Sequence, residues 1–302
     1  MEDLGYERDA AASSMRRKTT QTVAIAVRDS SVHGTAIALR EAEVVLRDAG
    51  YTVLLANTGN DKSIELGLLS EFAQRRLDGV VMTLSSDDDK ELLYAVVNSR
   101  MPVVIAGRQM DNSVDSVTAD LFGATLQATQ YLLSLGHRRI ALLTGLPVTY
   151  PARARVEGYR KALGNAGLVP DESLIRLGSF RGEFAYAQTI ALMRSQQRPT
   201  AIIAGGMAML PEVLRGLRLS RLAVGNDVSV IAGCDSDLAE LSEPAITAIS
   251  WDFASVGRLW AETLIQRMSE HRLGQPYSPR RSLTLPTNLL VRSSCKPITE
   301  NT

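Results

Sequence analysis

The chain has 302 residues, 45% of them apolar and 22% charged, and its 33 basic side chains balance 33 acidic ones. That size suits one large domain or two lobes of roughly 100–150 residues each, and zero net charge means that any contact with nucleic acid must come from a local patch or a missing part. Strand-sized apolar runs exclude a membrane span, the N-terminus has no apolar secretory core, two cysteines (Cys234 and Cys295) argue for a reducing cytoplasm over a disulfide scaffold, and three histidines without ligand spacing predict no metal site.

The first stretch, "RDAAASSMRRKTT" over residues 8–20, is alanine-rich and helix-prone, then turns basic at Arg16, Arg17 and Lys18. Strands are predicted next at Val23–Val27, Thr52–Ala56, Gly79–Thr83, Val103–Ala106 and Ser116–Ala119, with helices near 35–49, 61–76, 89–99 and 121–135 between them. Gly50 supplies the left-handed stop after the first of these helices. The rhythm repeats at Ile140–Thr144, Ile175–Leu177, Ala201–Ala204, Ser229–Ala232 and Ala248–Ser250, with helices near 152–167, 182–195, 207–219 and 253–269. Strands apolar on both faces, alternating with helices, imply parallel sheets covered on both sides. Two such series imply an α/β protein of two doubly wound lobes.

Open parallel sheets bind ligands beyond the carboxyl ends of their strands, so a cleft between the lobes is the expected site. Asp29 and Ser30 follow the first strand, Asp235 follows Ser229–Ala232 after Gly233, and Trp251 follows Ala248–Ser250. "PARAR" places Arg153 and Arg155 at the start of a helix. Carboxylate, guanidinium and aromatic faces together make a polyol binder: hydrogen bonds for vicinal hydroxyls and a flat ring for the apolar face of a sugar. Each also has a plainer use, as an Asx turn or N-cap, a solvated arginine, or a core tryptophan.

Three stretches are more specific: "LGHRRIALLTG" (135–145), "ARARVEGYRKALGNAGL" (152–168) and "VSVIAGCDSDLAELSEPAITAISWDFASVGRLWAETLIQRM" (228–268). With "AGYTVLLANTGND" and "RLDGVVM", they resemble, in order, the effector-binding region of the LacI/GalR family of bacterial transcription regulators. The resemblance runs from about residue 1 to 295. It implies the periplasmic-binding-protein-like type I fold, two lobes joined by three crossovers. On that reading residues 1–21 are a remnant of headpiece and hinge, 22–135 with 251–277 the N-terminal lobe, 136–250 with 278–295 the C-terminal lobe, and 296–302 a tail.

The resemblance also implies roles. Asp235 matches the family's sugar-binding aspartate, Arg155 its hydroxyl- or carboxylate-gripping arginine, Phe180 an aromatic on the ligand ring, and Asp120 a cleft-lining aspartate; Trp251 stands where glutamine is common. "LGYERDAAASSMRR" resembles the hinge helix, with Met15 where a leucine wedges into the minor groove and Arg16, Arg17 and Lys18 beside phosphates. Departures are Arg8 for proline, Ser13 for arginine, Gly206 and Met207 for an Asn–Asp pair, and "SVHGT" for an aromatic turn. The family precedes "LGY" with about fifty residues of helix-turn-helix; that headpiece is missing here, as a truncation, a misplaced start codon or a lost reader. The expected partners are a sugar-like effector, a second copy of the chain (through helix 35–49 and "DLAELSEP"), and operator DNA only when a headpiece is present, with no membrane and no cofactor. An enzyme is disfavoured by the lack of a phosphate loop, nucleophile elbow or metal cluster. His137 reads as the tie of a helix end. A solute receptor of the same fold is the alternative reading, and it would carry a signal or lipoprotein cysteine.

Overall fold

A computed structural model describes residues 19–110, 113–275 and 277–298. These divide into two compact units. Unit 1 takes the described residues up to Ser31, Thr35–Thr118 and Phe253–Leu283; unit 2 takes Val32–Gly34, Ala119–Asp252 and the residues from Thr284 onward.

Unit 1 is built on a six-stranded sheet of β1 (Thr22–Val27), β2 (Thr52–Asn57), β3 (Gly79–Met82), β4 (Val103–Ala106), β5 (Asp115–Ala119) and β11 (Ser282–Leu285), in the order β11-β5-β4-β3-β1-β2. β1 pairs in parallel with both β2 and β3, and β3–β4 and β4–β5 are parallel too. Its helices are α1 (His33–Asp48), α2 (Lys62–Gln74), α3 (Lys90–Val97) and α9 (Phe253–Leu273). Gly50, at φ 85°, stops α1 as its spacing predicts: the N–H groups of Gly50 and Tyr51 reach back to Arg47 and Leu46 carbonyls. Asp61 and Asp89 cap α2 and α3, each accepting two backbone N–H groups.

Unit 2 repeats the plan with β6 (Ile140–Gly145), β7 (Ile175–Gly178), β8 (Ala201–Ala204), β9 (Ser229–Ala232), β10 (Thr247–Ser250) and β12 (Asn288–Leu290), in the order β12-β10-β9-β8-β6-β7. Only the β10–β12 pair is antiparallel among its described pairings. Helices α4 (Leu121–Ser134), α5 (Tyr150–Asn165), α6 (Gly182–Met193), α7 (Leu210–Leu219) and the short α8 (Asp237–Leu241) complete it. The two-residue period of a strand divides the core in two. Ala141, Leu143, Ile202, Ala204, Val230 and Ala232 face one cluster, with Leu192, Val213 and Leu217 of α6 and α7. Ile140, Leu142, Ile203, Ile231 and Ile249 face the other, with Ala128, Leu132, Tyr159 and Leu163 of α4 and α5. Both faces are covered, which is why these strands read as unbroken apolar runs. β11, β12 and α8 are absent from the sequence-based expectation; all three are short and largely exposed.

Candidate functional site

At the carboxyl edge of the unit 2 sheet (sheet 2), β6 ends in Gly145 and β7 in Gly178, while β8 and β9 run into Gly205 and Gly233. Side chains have no room there. A Cβ on Gly145 would lie 2.2 Å from the Phe180 ring, and one on Gly205 would lie 2.7 Å from the Leu143 carbonyl and 3.0 Å from Cδ of Arg155. The strand ends are therefore a flat backbone floor on which Phe180 and Arg155 lie. Phe180 stands in the turn between β7 and α6, and Arg155 in the second turn of α5. Arg155 is 4% exposed. Its Nη1 donates to the Pro151 carbonyl at 3.0 Å, and its guanidinium carbon lies 5.8 Å from the Phe180 ring centre, within cation–π range. The neighbouring Cys234 thiol is pushed up to about 12 by burial, against the pull of the Arg155 charge. A thiol so held is chemically quiet.

Asp235 follows β9 as expected, and its carboxylate is engaged by Arg292, Nη1 to Oδ1 at 2.7 Å and Nη2 to Oδ2 at 3.2 Å. Arg292 Nη1 also donates to the Ile246 carbonyl. A carboxylate accepts about four hydrogen bonds, so Asp235 is oriented by Arg292 and keeps acceptor capacity. Trp251 follows β10 and packs half-buried beside Ala119, Leu121, Tyr150 and Ala154. Asp120 is the N-cap of α4, its Oδ1 accepting the Gly123 N–H at 2.8 Å. Its carboxylate is folded onto the helix end.

Asp29 and Ser30 lie at the end of β1 in unit 1. Asp29 closes an Asx turn, accepting the Ser31 N–H at 2.9 Å and hydroxyl at 2.6 Å, and those bonds hold its carboxyl below the usual range. Ser30 N–H donates to Asn57 Oδ1 at 2.7 Å. Nearby, Glu65 is fully buried and accepts the Ser85 N–H and hydroxyl at 2.9 and 2.8 Å. Burial pushes its carboxyl up, opposed by the Ser85 bonds and the Arg108 charge. Sequence reasoning passed over Glu65, Arg292 and the glycine floor; the last had a visible signal, a glycine closing strand after strand. Met15, Arg16, Arg17 and Lys18 lie outside the described residues. Among the described residues no group of three His, Cys, Asp or Glu side chains could hold a metal ion, and no helix is long and apolar enough to cross a membrane.

Residues 129–295 match the periplasmic binding protein-like domain. The chain is 32% identical to the HTH-type transcriptional regulator CelR of Thermobifida fusca, across 97% of its length and 87% of CelR. It is 31% identical to the ribose operon repressor of Escherichia coli strain K12, across 97% of the chain and 88% of the repressor. The chain belongs to the LacI/GalR family of transcription regulators. A solved LacI-family structure, the CelR–cellobiose complex, superposes with a TM-score of 0.81 at 29% identity, covering 94% of this chain and 89% of that one. The α/β class, the paired doubly wound sheets and the family resemblance all stand as the sequence implied.

Proposed function

We propose that this chain is the effector-sensing and dimerisation region of its LacI/GalR-type regulator, binding a small sugar-like ligand at the carboxyl ends of the sheet 2 strands. The observation that carries the reading is the Arg155–Phe180 pair on its glycine floor. Arg155 presents a planar fork of donors with Nη1 already fixed to Pro151, so its geometry is set before a ligand arrives. Phe180 offers a ring for the C–H face of a sugar, and Asp235, steadied by Arg292, accepts from hydroxyls. Trp251 and Asp120 line the site. The CelR relative, with cellobiose in its complex, supports the sugar class.

The reading is of a binder and not an enzyme, acting in the cytoplasm where operator DNA lies. DNA contact belongs to a helix-turn-helix headpiece and to the hinge residues Met15, Arg16, Arg17 and Lys18. Effector acts by binding one of two conformational states more tightly, which shifts their populations. The chain is a homodimer in this reading: edge strand β2 exposes Leu55 and α8 exposes Leu241, the latter 81% exposed, the kind of apolar surface that association removes from water. Small-angle scattering that finds a monomer at micromolar concentration refutes the dimer.

A thermal-shift screen of neutral sugars, polyols and nucleosides tests the ligand class, because ligand binding raises stability with occupancy. A sugar hit that Arg155→Ala or Phe180→Ala abolishes, with the ligand-free midpoint kept, supports the site. A hit untouched by either substitution refutes it.

A further inference from the structure

The amino edge of the unit 1 sheet, opposite Asp29 and Ser30, holds a cavity of about 530 Å3. The segments entering β1, β2, β3 and β4 wall it, together with the carboxyl ends of α2 and α9. That volume lies inside the range of about 300–1,000 Å3 of small-molecule sites.

Three arginines converge on it: Arg76, Arg100 and Arg272. Elsewhere on unit 1 Arg47 and Arg75 are paired with Glu43 and Glu71, whereas these three have no ion pair among the described residues. The one carboxylate on the wall is already used. Asp78 Oδ1 accepts from Thr20 N–H at 3.0 Å, and its Oδ2 accepts from Gln21 N–H at 2.9 Å and from the Thr19 hydroxyl. Arg76 and Arg100 follow the ends of α2 and α3, and Arg272 lies in the last turn of α9, where the helix dipole favours cations. That accounts for their placement but supplies only about half a charge per helix, so positive charge is left in excess. Tyr51, Met101 and Met268 give the same cavity apolar wall.

We propose that this cavity binds a small organic phosphate, its phosphoryl oxygens held by Arg76, Arg100 and Arg272 and its organic part set against Tyr51 and the two methionines. Guanidinium forks match phosphate oxygens in pairs, and a doubly charged group is what an excess of unpaired arginines selects over a neutral sugar. The site shares no residue with the strand-end site, so either can fail without the other.

Isothermal titration of the full chain with inorganic pyrophosphate and with ribose 5-phosphate tests this. The expected result is binding of both probes, weakened at least about tenfold by the double substitution Arg100→Ala/Arg272→Ala. The same double variant keeps its melting midpoint and its affinity for any neutral sugar, and Arg155→Ala leaves phosphate affinity unchanged. Failure of both probes to bind at about 10 mM overturns the proposal. So does binding lost in Arg155→Ala but kept in the double variant, which moves the anion to the strand-end site. Arginine-dependent binding of a short DNA duplex without binding of either small probe also overturns it, and makes the surface a reader of backbone phosphates.

Discussion

Arg267, 1% exposed, clasps the fully buried Asp115 of β5 through Nε and Nη2 at 2.7 Å each, while Arg280 and the Arg281 N–H approach the same carboxylate. Glu270 joins through Arg267 Nη1 and the Ser278 hydroxyl, and the segment leading into β11 is thereby tied to α9 and β5 by charge. Unit 2 ties the segment after its own last strand through one partly exposed ion pair, Arg292–Asp235, and for the rest through neutral groups. Ser294 Oγ donates to the Val230 carbonyl at 2.6 Å and accepts the Thr247 N–H, and His137 spans Thr200 and the Lys296 carbonyl. One strand order is thus closed twice by different chemistry. The lesson is that equal topology does not imply equal response: the charged clasp is strong while complete and costly when cut, and the mostly neutral one degrades in smaller steps.

The sharpest way to break the comparison is Arg267→Met. It leaves buried Asp115 with only Arg280 and the Arg281 N–H as partners, and urea unfolding is expected to show a loss of about 3–5 kcal/mol. Ser294→Ala in unit 2 should cost only about 1–3 kcal/mol by the same measurement. Equal losses would erase the distinction.

Gly145→Ala acts on the floor of the strand-end site, where the new methyl meets the Phe180 ring at 2.2 Å. Displacing the ring should cost about 1–3 kcal/mol of stability and at least about tenfold in effector affinity, read by titration calorimetry.

Acid separates the units again. Burial holds the His137 imidazole below its usual range, against the bond to Lys296. The unfolded chain therefore takes up that proton first, so the stability tied to His137 is present above about pH 6.5 and is lost as pH falls below it. In unit 1 the Ser278 hydroxyl, then Gln266 and Arg267, hold Glu270 at about 2 against desolvation. Its contribution is complete above about pH 4.5 and drains as pH falls toward 2. Stability measured against pH should show the first step, and His137→Asn should remove that step while leaving the lower one. The smallest expected effect is at Glu65. Gln keeps its shape and its acceptor for Ser85 without a buried charge, so Glu65→Gln should shift stability by less than about 1 kcal/mol at neutral pH, toward greater stability.

Much of the architecture was legible because buried parallel strands write themselves as apolar runs. Ten strands were predicted to within two residues at each end, among them Val103–Ala106, Ala201–Ala204 and Ser229–Ala232, which coincide with the observed elements. β11 and β12 were not, since "SLTL" and "NLL" alternate weakly and sit half in water. The positions of Asp235 and Trp251 after their strands were readable from local pattern. The partner of Asp235 was not, because Arg292 lies 57 residues further on and nothing local links them. His137 shows the same limit. Its backbone N–H does close the end of α4 on Leu132, as its place after Gly136 suggests, but the ring's ties to Thr200 and Lys296 come from the tertiary fold.

A crystal structure of the chain with its best sugar ligand tests the central claim most directly. The account predicts the sugar on the glycine floor of sheet 2, with hydroxyls within hydrogen-bond reach of the Arg155 guanidinium and a ring face against Phe180. A sugar bound elsewhere, with Arg155 and Phe180 both untouched, would contradict it.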